Sequence, residues 1–193
     1  MLAGLGYVAF AADVYGKGIR PASAEEAAKL AGKFKGDRSL FRERLRAALD
    51  HLRKEPLVDK ERIAAIGYCF GGTGVLELAR SGADLLGVVS FHGGLDSPGP
   101  DGGKAIHAKV LVLHGADDPF ISPAQIASFQ EEMRKGGVDW QMVYYGGAVH
   151  AFTNPGAGPD NSRGAAYNAP ADDRSWRAMR DFFDEIFAKR LAQ

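Results

Sequence analysis

The sequence predicts an α/β fold, with a mostly parallel sheet and helices on both faces, folded as a single domain over residues 1–193. Three observations predict it. Short apolar runs alternate with amphipathic stretches of helical period. Several of those runs end directly in glycine and polar residues. Residues 62–80 read as strand, sharp turn and helix in immediate succession. With 193 residues and 46% hydrophobic content, the chain can bury a sizeable core without a disulfide framework.

Taken in order, residues 6–14 form an apolar run that leads into Gly16, Gly18 and Pro21, and they read as a buried strand with its exit loop. Ser23 followed by Glu26 has the form of a capping box and opens a helix through Phe34. Asp37 caps a second helix, which carries Phe41, Leu45, Leu49 and Leu52 at helical spacing. Residues 62–68, 85–91, 110–113 and 138–145 read as further strands. Ser122 and Pro123 open a helix that stops at Gly136 and Gly137. Residues 93–103 and the Gly-, Pro- and Asn-rich residues 153–170 read as loops. Residues 172–191 form a closing amphipathic helix with Trp176, Met179, Phe182, Phe183, Ile186 and Phe187 on its apolar face.

Lys plus Arg and Asp plus Glu balance at 24 each, which removes any overall field that would favour nucleic acid or an anionic membrane. Nothing resembles H-E-x-x-H or paired cysteine ligands, so no metal site and no cofactor is implied, and Gly71, Gly72 and Gly74 miss the spacing of a phosphate loop. The one cysteine, Cys69, has no internal disulfide partner. Together with an N-terminus that lacks a basic signal-peptide region and the absence of a spanning run, this points to a cytoplasmic protein.

Cys69 stands in Gly67-Tyr68-Cys69-Phe70-Gly71, a G-x-C-x-G motif at a strand-to-helix junction. A turn this sharp forces strained backbone on its central residue and needs small neighbours, which Gly67 and Gly71 supply. The helix that follows aims its first amides at the side chain and favours a thiolate. A lone cysteine is more often a buried small hydrophobe; the motif at this junction favours a nucleophile. In open α/β sheets the active site gathers at the carboxyl ends of the strands. Asp118 and His150 follow the later strands, in the order nucleophile, acid, histidine. The spacing of Gly115, Asp118 and Ile121 favours Asp118 over Asp117, which is left as a loop cap or a solvated neighbour. His92 lies after the strand ending at Phe91 and either lines the pocket or is a hydrogen-bonded structural histidine. His114 supports the acid loop, and His51 and His107 are surface residues.

Residues 67–72, 114–121 and 147–152 together resemble the dienelactone hydrolase family of the α/β-hydrolase fold. The resemblance implies a hydrolase that cleaves a small ester or lactone through an acyl-cysteine intermediate without a metal. Cys69, Asp118 and His150 would be catalytic, the Phe70 amide an oxyanion donor, and Tyr68, His92, Phe152 and Asn154 would border the substrate. Asn154 stands where characterised dienelactone enzymes hold a substrate-binding arginine. The earlier strands of the fold and their oxyanion loop are not found, so the domain is expected to be N-terminally shortened. An alternative reading is a catalytically silent domain that binds a ligand or partner through the old cleft. A redox sensor at Cys69 is a third.

Overall fold

The computed structural model describes residues 1–97, 99 and 101–188. They form two compact units, Met1–Arg62 and Ile63–Gln193. The first unit holds a 3-10 turn at Leu2–Leu5 and two helices, α1 (Ala24–Gly36) and α2 (Arg38–Leu52). Ser23 Oγ accepts the Glu26 amide at the start of α1, while Glu26 Oε2 accepts the amide of Ala22 rather than of Ser23, so only half of the expected box closes. Asp37 caps α2 through the Leu40 amide as predicted. Phe34, Phe41, Leu45 and Leu49 are buried, with the Phe34 and Phe41 rings 5.9 Å apart.

Residues 6–14 do not form the predicted strand. Val8 and Phe10 are both exposed, and the only sheet among the described residues begins further along the chain. Apolar content supplies strand propensity, but a strand also needs a neighbouring ladder to satisfy its amides and carbonyls.

The second unit carries that sheet. Four parallel strands, β1 (Ala64–Tyr68), β2 (Gly87–Phe91), β3 (Lys109–Gly115) and β4 (Trp140–Tyr145), lie side by side in chain order. Three helices accompany them: α3 (Phe70–Arg80), α4 (Pro123–Gly136) and α5 (Ala169–Ala188). A side chain added at Gly87 would strike Phe182 and Ile186 of α5, whereas Ser90, three residues on, lies against Gly72 of α3. Positions three apart on a strand point to opposite faces. The α5 and α3 helices therefore cover opposite sides of β2, as the sequence predicts.

Ser122 and Gln125 close a full capping box at the start of α4. The helix α5 starts three residues earlier than predicted because Asn168 Oδ1 accepts the Ala171 amide, and residues 189–191 of the predicted helix lie outside the described residues. Val88, Val89, Val110, Leu111, Val112 and Leu113 are almost fully buried, which is why β2 and β3 read as continuous apolar runs.

A charged cluster that no periodicity reveals lies within this core. Arg80 of α3 donates to Glu132 of α4 through Nε and Nη2, both at 2.8 Å, and to Glu77 at 2.9 Å. Ser97 donates to Glu132 at 3.0 Å. All three charged side chains are buried, so each depends on the others for the hydrogen bonds that replace water.

The glycines around Cys69 divide differently from the sequence reading. A Cβ on Gly67 would lie 2.0 Å from the Gly71 carbonyl oxygen, and one on Gly72 would lie 2.8 Å from the Gly93 Cα. A Cβ on Gly71 meets nothing within 4 Å. The tight pair is thus Gly67 and Gly72, and Gly71 matters for where its backbone runs. Gly67→Ala is expected to disrupt the turn and lower the melting temperature, while Gly71→Ala is expected to melt within a few degrees of the parent. Equal melting temperatures for the two variants in a thermal-unfolding measurement would contradict this packing.

Candidate active site

The carboxyl ends of all four strands converge on one site. Tyr68 ends β1 and Cys69 follows as the cap of α3, with φ 51° and ψ −114°. His92 follows β2 directly, Asp118 lies three residues beyond β3, and His150 five beyond β4. Among the described residues, the non-glycine positions with positive φ are Cys69, His92 (40°) and Ala151 (57°). All three lie in this site, the distribution expected where surrounding packing holds strain that free chains avoid.

Local hydrogen bonds fix the loops. Asp118 Oδ1 accepts the Phe120 amide at 2.9 Å, which turns the acid loop back on itself. The Asp117 amide donates to Ala148 O, and Asp117 Oδ2 accepts the Gly147 amide, both at 3.0 Å. Asp117 thereby ties the acid loop to the histidine loop, in keeping with its reading as a loop cap. A Cβ on Gly115 would meet the carbonyl oxygens of Ala148 and Val149 at 2.6 and 2.7 Å, so these two loops approach backbone to backbone. On its other side His150 pairs with residues 164–166, its amide donating to Gly164 O and its carbonyl accepting from Ala166.

These restraints bring three side chains into line. His150 Nδ1 lies 2.9 Å from Asp118 Oδ2 and His150 Nε2 lies 3.1 Å from Cys69 Sγ. The Asp118 side chain is wholly buried, His150 is partly covered and Cys69 is exposed. Burial opposes charge on both members of the acid–imidazole pair, yet their interaction outweighs it. The His150 pKa is pushed up to about 9 by its hydrogen bonds to Asp118 and Cys69 and by their charges. The Asp118 carboxyl is held below its ordinary range by His150 and the Phe120 amide. His150 Nδ1 thus donates to the carboxylate, and Nε2 faces the sulfur.

The remaining predicted residues divide between packing and rim. His92 is buried, its ring meeting those of His150 and Phe152 edge-on at centroid distances of 5.1 Å. Phe152 is fully buried, with its ring against those of His92 and Tyr145. Tyr68 is 40% exposed and stacks on Phe91. Burial, then the charge of Asp172, push its hydroxyl up to about 12. Asn154 is exposed, but its Oδ1 accepts the Gly156 amide and caps the turn at Pro155–Ala157. Phe70 opens α3 and brings its amide to the first turn beside Cys69. His114 is buried in β3, while His51 and His107 are exposed.

Two neighbours escape sequence reading. Phe120 is 57% exposed and meets His150 edge-on at 5.4 Å. Its place in the acid loop, two residues after Asp118, was the available signal. Thr153 Oγ1 lies 2.8 Å from His92 Nε2, a pairing across 61 residues that no local pattern announces.

A parallel sheet with a strained strand-to-helix turn, and acid and histidine on later loops, defines an α/β-hydrolase. The chain belongs to the dienelactone hydrolase family, whose model matches residues 1–187 and so spans both compact units. It is 47% identical to the solved structure m3DLH, with a TM-score of 0.90 over 96% of this chain and 77% of that one. It is 45% identical to the dienelactone hydrolase-like promiscuous phosphotriesterase P91 from metagenomic libraries, with a TM-score of 0.87 over the same shares. The Caenorhabditis elegans protein K02A2.1 is 37% identical over 150 residues, which are 75% of this chain and 93% of that protein. No described helix is long and apolar enough to cross a membrane.

The raised His150 pKa carries a signed consequence for stability. The folded chain holds this proton up to about pH 9, against an ordinary value of 6.5, so the stabilisation is complete below about 6.5 and is lost as pH rises through 9. Thermal melts across roughly pH 5 to 10 are expected to show this alkaline loss, and His150→Gln is expected to lack that share of it. An identical alkaline decline in the two proteins would contradict the assignment.

Proposed function

We propose that this protein hydrolyses a small carboxylic ester or lactone, with Cys69 as nucleophile, His150 as acid and base, and Asp118 as its orienting carboxylate. The observation that carries this reading is the continuous line from buried carboxylate through imidazole to exposed sulfur, at 2.9 and 3.1 Å. With a pKa of about 9, His150 is protonated at neutral pH, so the resting pair is read as thiolate and imidazolium.

The thiolate attacks the ester carbonyl, the C=O pair moves to oxygen, and the Phe70 amide at the start of α3 donates to that oxyanion. Collapse of the intermediate breaks the C–O bond, and the leaving alkoxide takes the His150 proton. Neutral His150 Nε2 then removes a proton from water, whose oxygen attacks the thioester. The acid departs, and thiolate and imidazolium are restored. Tyr68 and Phe120 give the rim an aromatic character suited to an apolar or aryl ester. Nucleophilic action requires the Cys69 sulfur to remain reduced, which favours a reducing compartment such as the cytoplasm.

The similarity to P91 supports a second activity of the same site, attack of the thiolate on a phosphotriester. The buried orienting Asp118 and the exposed Cys69 favour catalysis over a silent binding domain. Cys69→Ala is expected to retain the fold by circular dichroism and to lose at least about 10³-fold in kcat/KM toward p-nitrophenyl acetate. Any turnover of a p-nitrophenyl dialkyl phosphate should fall with it. Undiminished ester turnover in Cys69→Ala would overturn the nucleophile assignment.

A further inference from the structure

His92 makes hydrogen bonds that its burial alone does not require. The Cys69 amide is shared between Phe91 O at 3.0 Å and His92 Nδ1 at 3.2 Å. An amide can only donate, so Nδ1 must offer its lone pair and the ring proton must sit on Nε2. Nε2 then donates to Thr153 Oγ1 at 2.8 Å. The backbone is committed as well, since the His92 amide donates to Leu113 O at 2.8 Å and its φ is 40°. One imidazole therefore reaches from the backbone of the strained turn to the loop three residues beyond His150.

We propose that His92 is a positioning residue: as a neutral clamp between the Cys69 amide and the Thr153 hydroxyl, it sets the separation of the Cys69 sulfur and the His150 ring. The inference rests on the functional reading above. It differs from a packing role because a ring of equal size without the two nitrogens would fill the space and lose both restraints. The electrostatic surroundings agree. Burial first, and then the charge of His150, push the His92 pKa down to about 4, so His92 stays neutral while His150 is charged. The titratable groups around this point are His150 beyond β4, His114 and Asp118 in and after β3, and Cys69 and Tyr68 at the end of β1. Asp118 favours the His92 cation, and its influence is outweighed.

The test uses His92→Phe, which keeps ring volume, Thr153→Val, which removes only the distal partner, and His92→Gln, whose carboxamide can accept at one end and donate at the other. Because the chain has one cysteine, the absorbance near 240 nm that is absent from Cys69→Ala, followed over pH below the range in which tyrosine ionises, reports the Cys69 thiolate. Expected results are a loss of about ten- to hundred-fold in kcat for His92→Phe, with KM little changed and the thiolate titration displaced. Thr153→Val should show a smaller displacement in the same direction, and His92→Gln partial recovery. An unchanged kcat and thiolate titration in folded His92→Phe, with only the melting temperature lowered, would overturn the proposal. If His92→Phe fails to fold, an unmoved titration in Thr153→Val would overturn it equally. A parent protein without Cys69-dependent turnover would sink the hydrolase reading instead, and the thiolate titration would still decide whether His92 positions Cys69.

Discussion

The backbone of Cys69 is the constraint on which the rest of the site depends. At φ 51° it lies where a residue with a Cβ is disfavoured, and nothing within the tripeptide itself would hold it there. The hold comes from close backbone approaches, Gly67 against Gly71 and Gly72 against Gly93, and from the shared bond of the Cys69 amide to Phe91 and His92. This geometry leaves the sulfur exposed at the end of β1, where loops from β3 and β4 deliver Asp118 and His150. Without the turn, the later loops would have nothing to converge upon.

Two histidines with ring centroids 5.1 Å apart are driven in opposite directions by the same neighbourhood. Burial disfavours charge on both. His150 has a carboxylate and a sulfur as direct partners and is raised, whereas His92 has an amide donor and a hydroxyl and is lowered. Adjacent imidazolium ions would repel each other, so the fixed neutrality of one permits the charge of the other. This is the arrangement expected where acid and base roles are divided by environment rather than by residue type.

Much of this was legible in the sequence because it depends on local chemistry. The strand-to-helix turn showed itself through Gly67, Cys69 and the helix that follows, and the order Cys69, Asp118, His150 marked three strand ends. The four strands from Ala64 onward appeared as apolar runs because parallel strands are covered on both faces. What stayed hidden was long-range. The bond between His92 and Thr153 spans 61 residues, and the link from Arg80 to Glu132 spans 52. The expectation that Gly71 itself must be small failed, and the need at Gly72 went unseen, because glycine content does not reveal which Cα faces another backbone. Residues 6–14 have the composition of a strand, but composition cannot supply a ladder partner.

The central claim is that the exposed sulfur of Cys69 carries the acyl group during turnover. Intact-mass analysis of the protein quenched during reaction with an activated, slowly deacylating ester, followed by peptide mapping, tests it most directly. The account predicts a single acyl adduct on the peptide containing Cys69, absent from Cys69→Ala and released as the free acid on further incubation. Sustained hydrolysis with the acyl group found on another residue would contradict it.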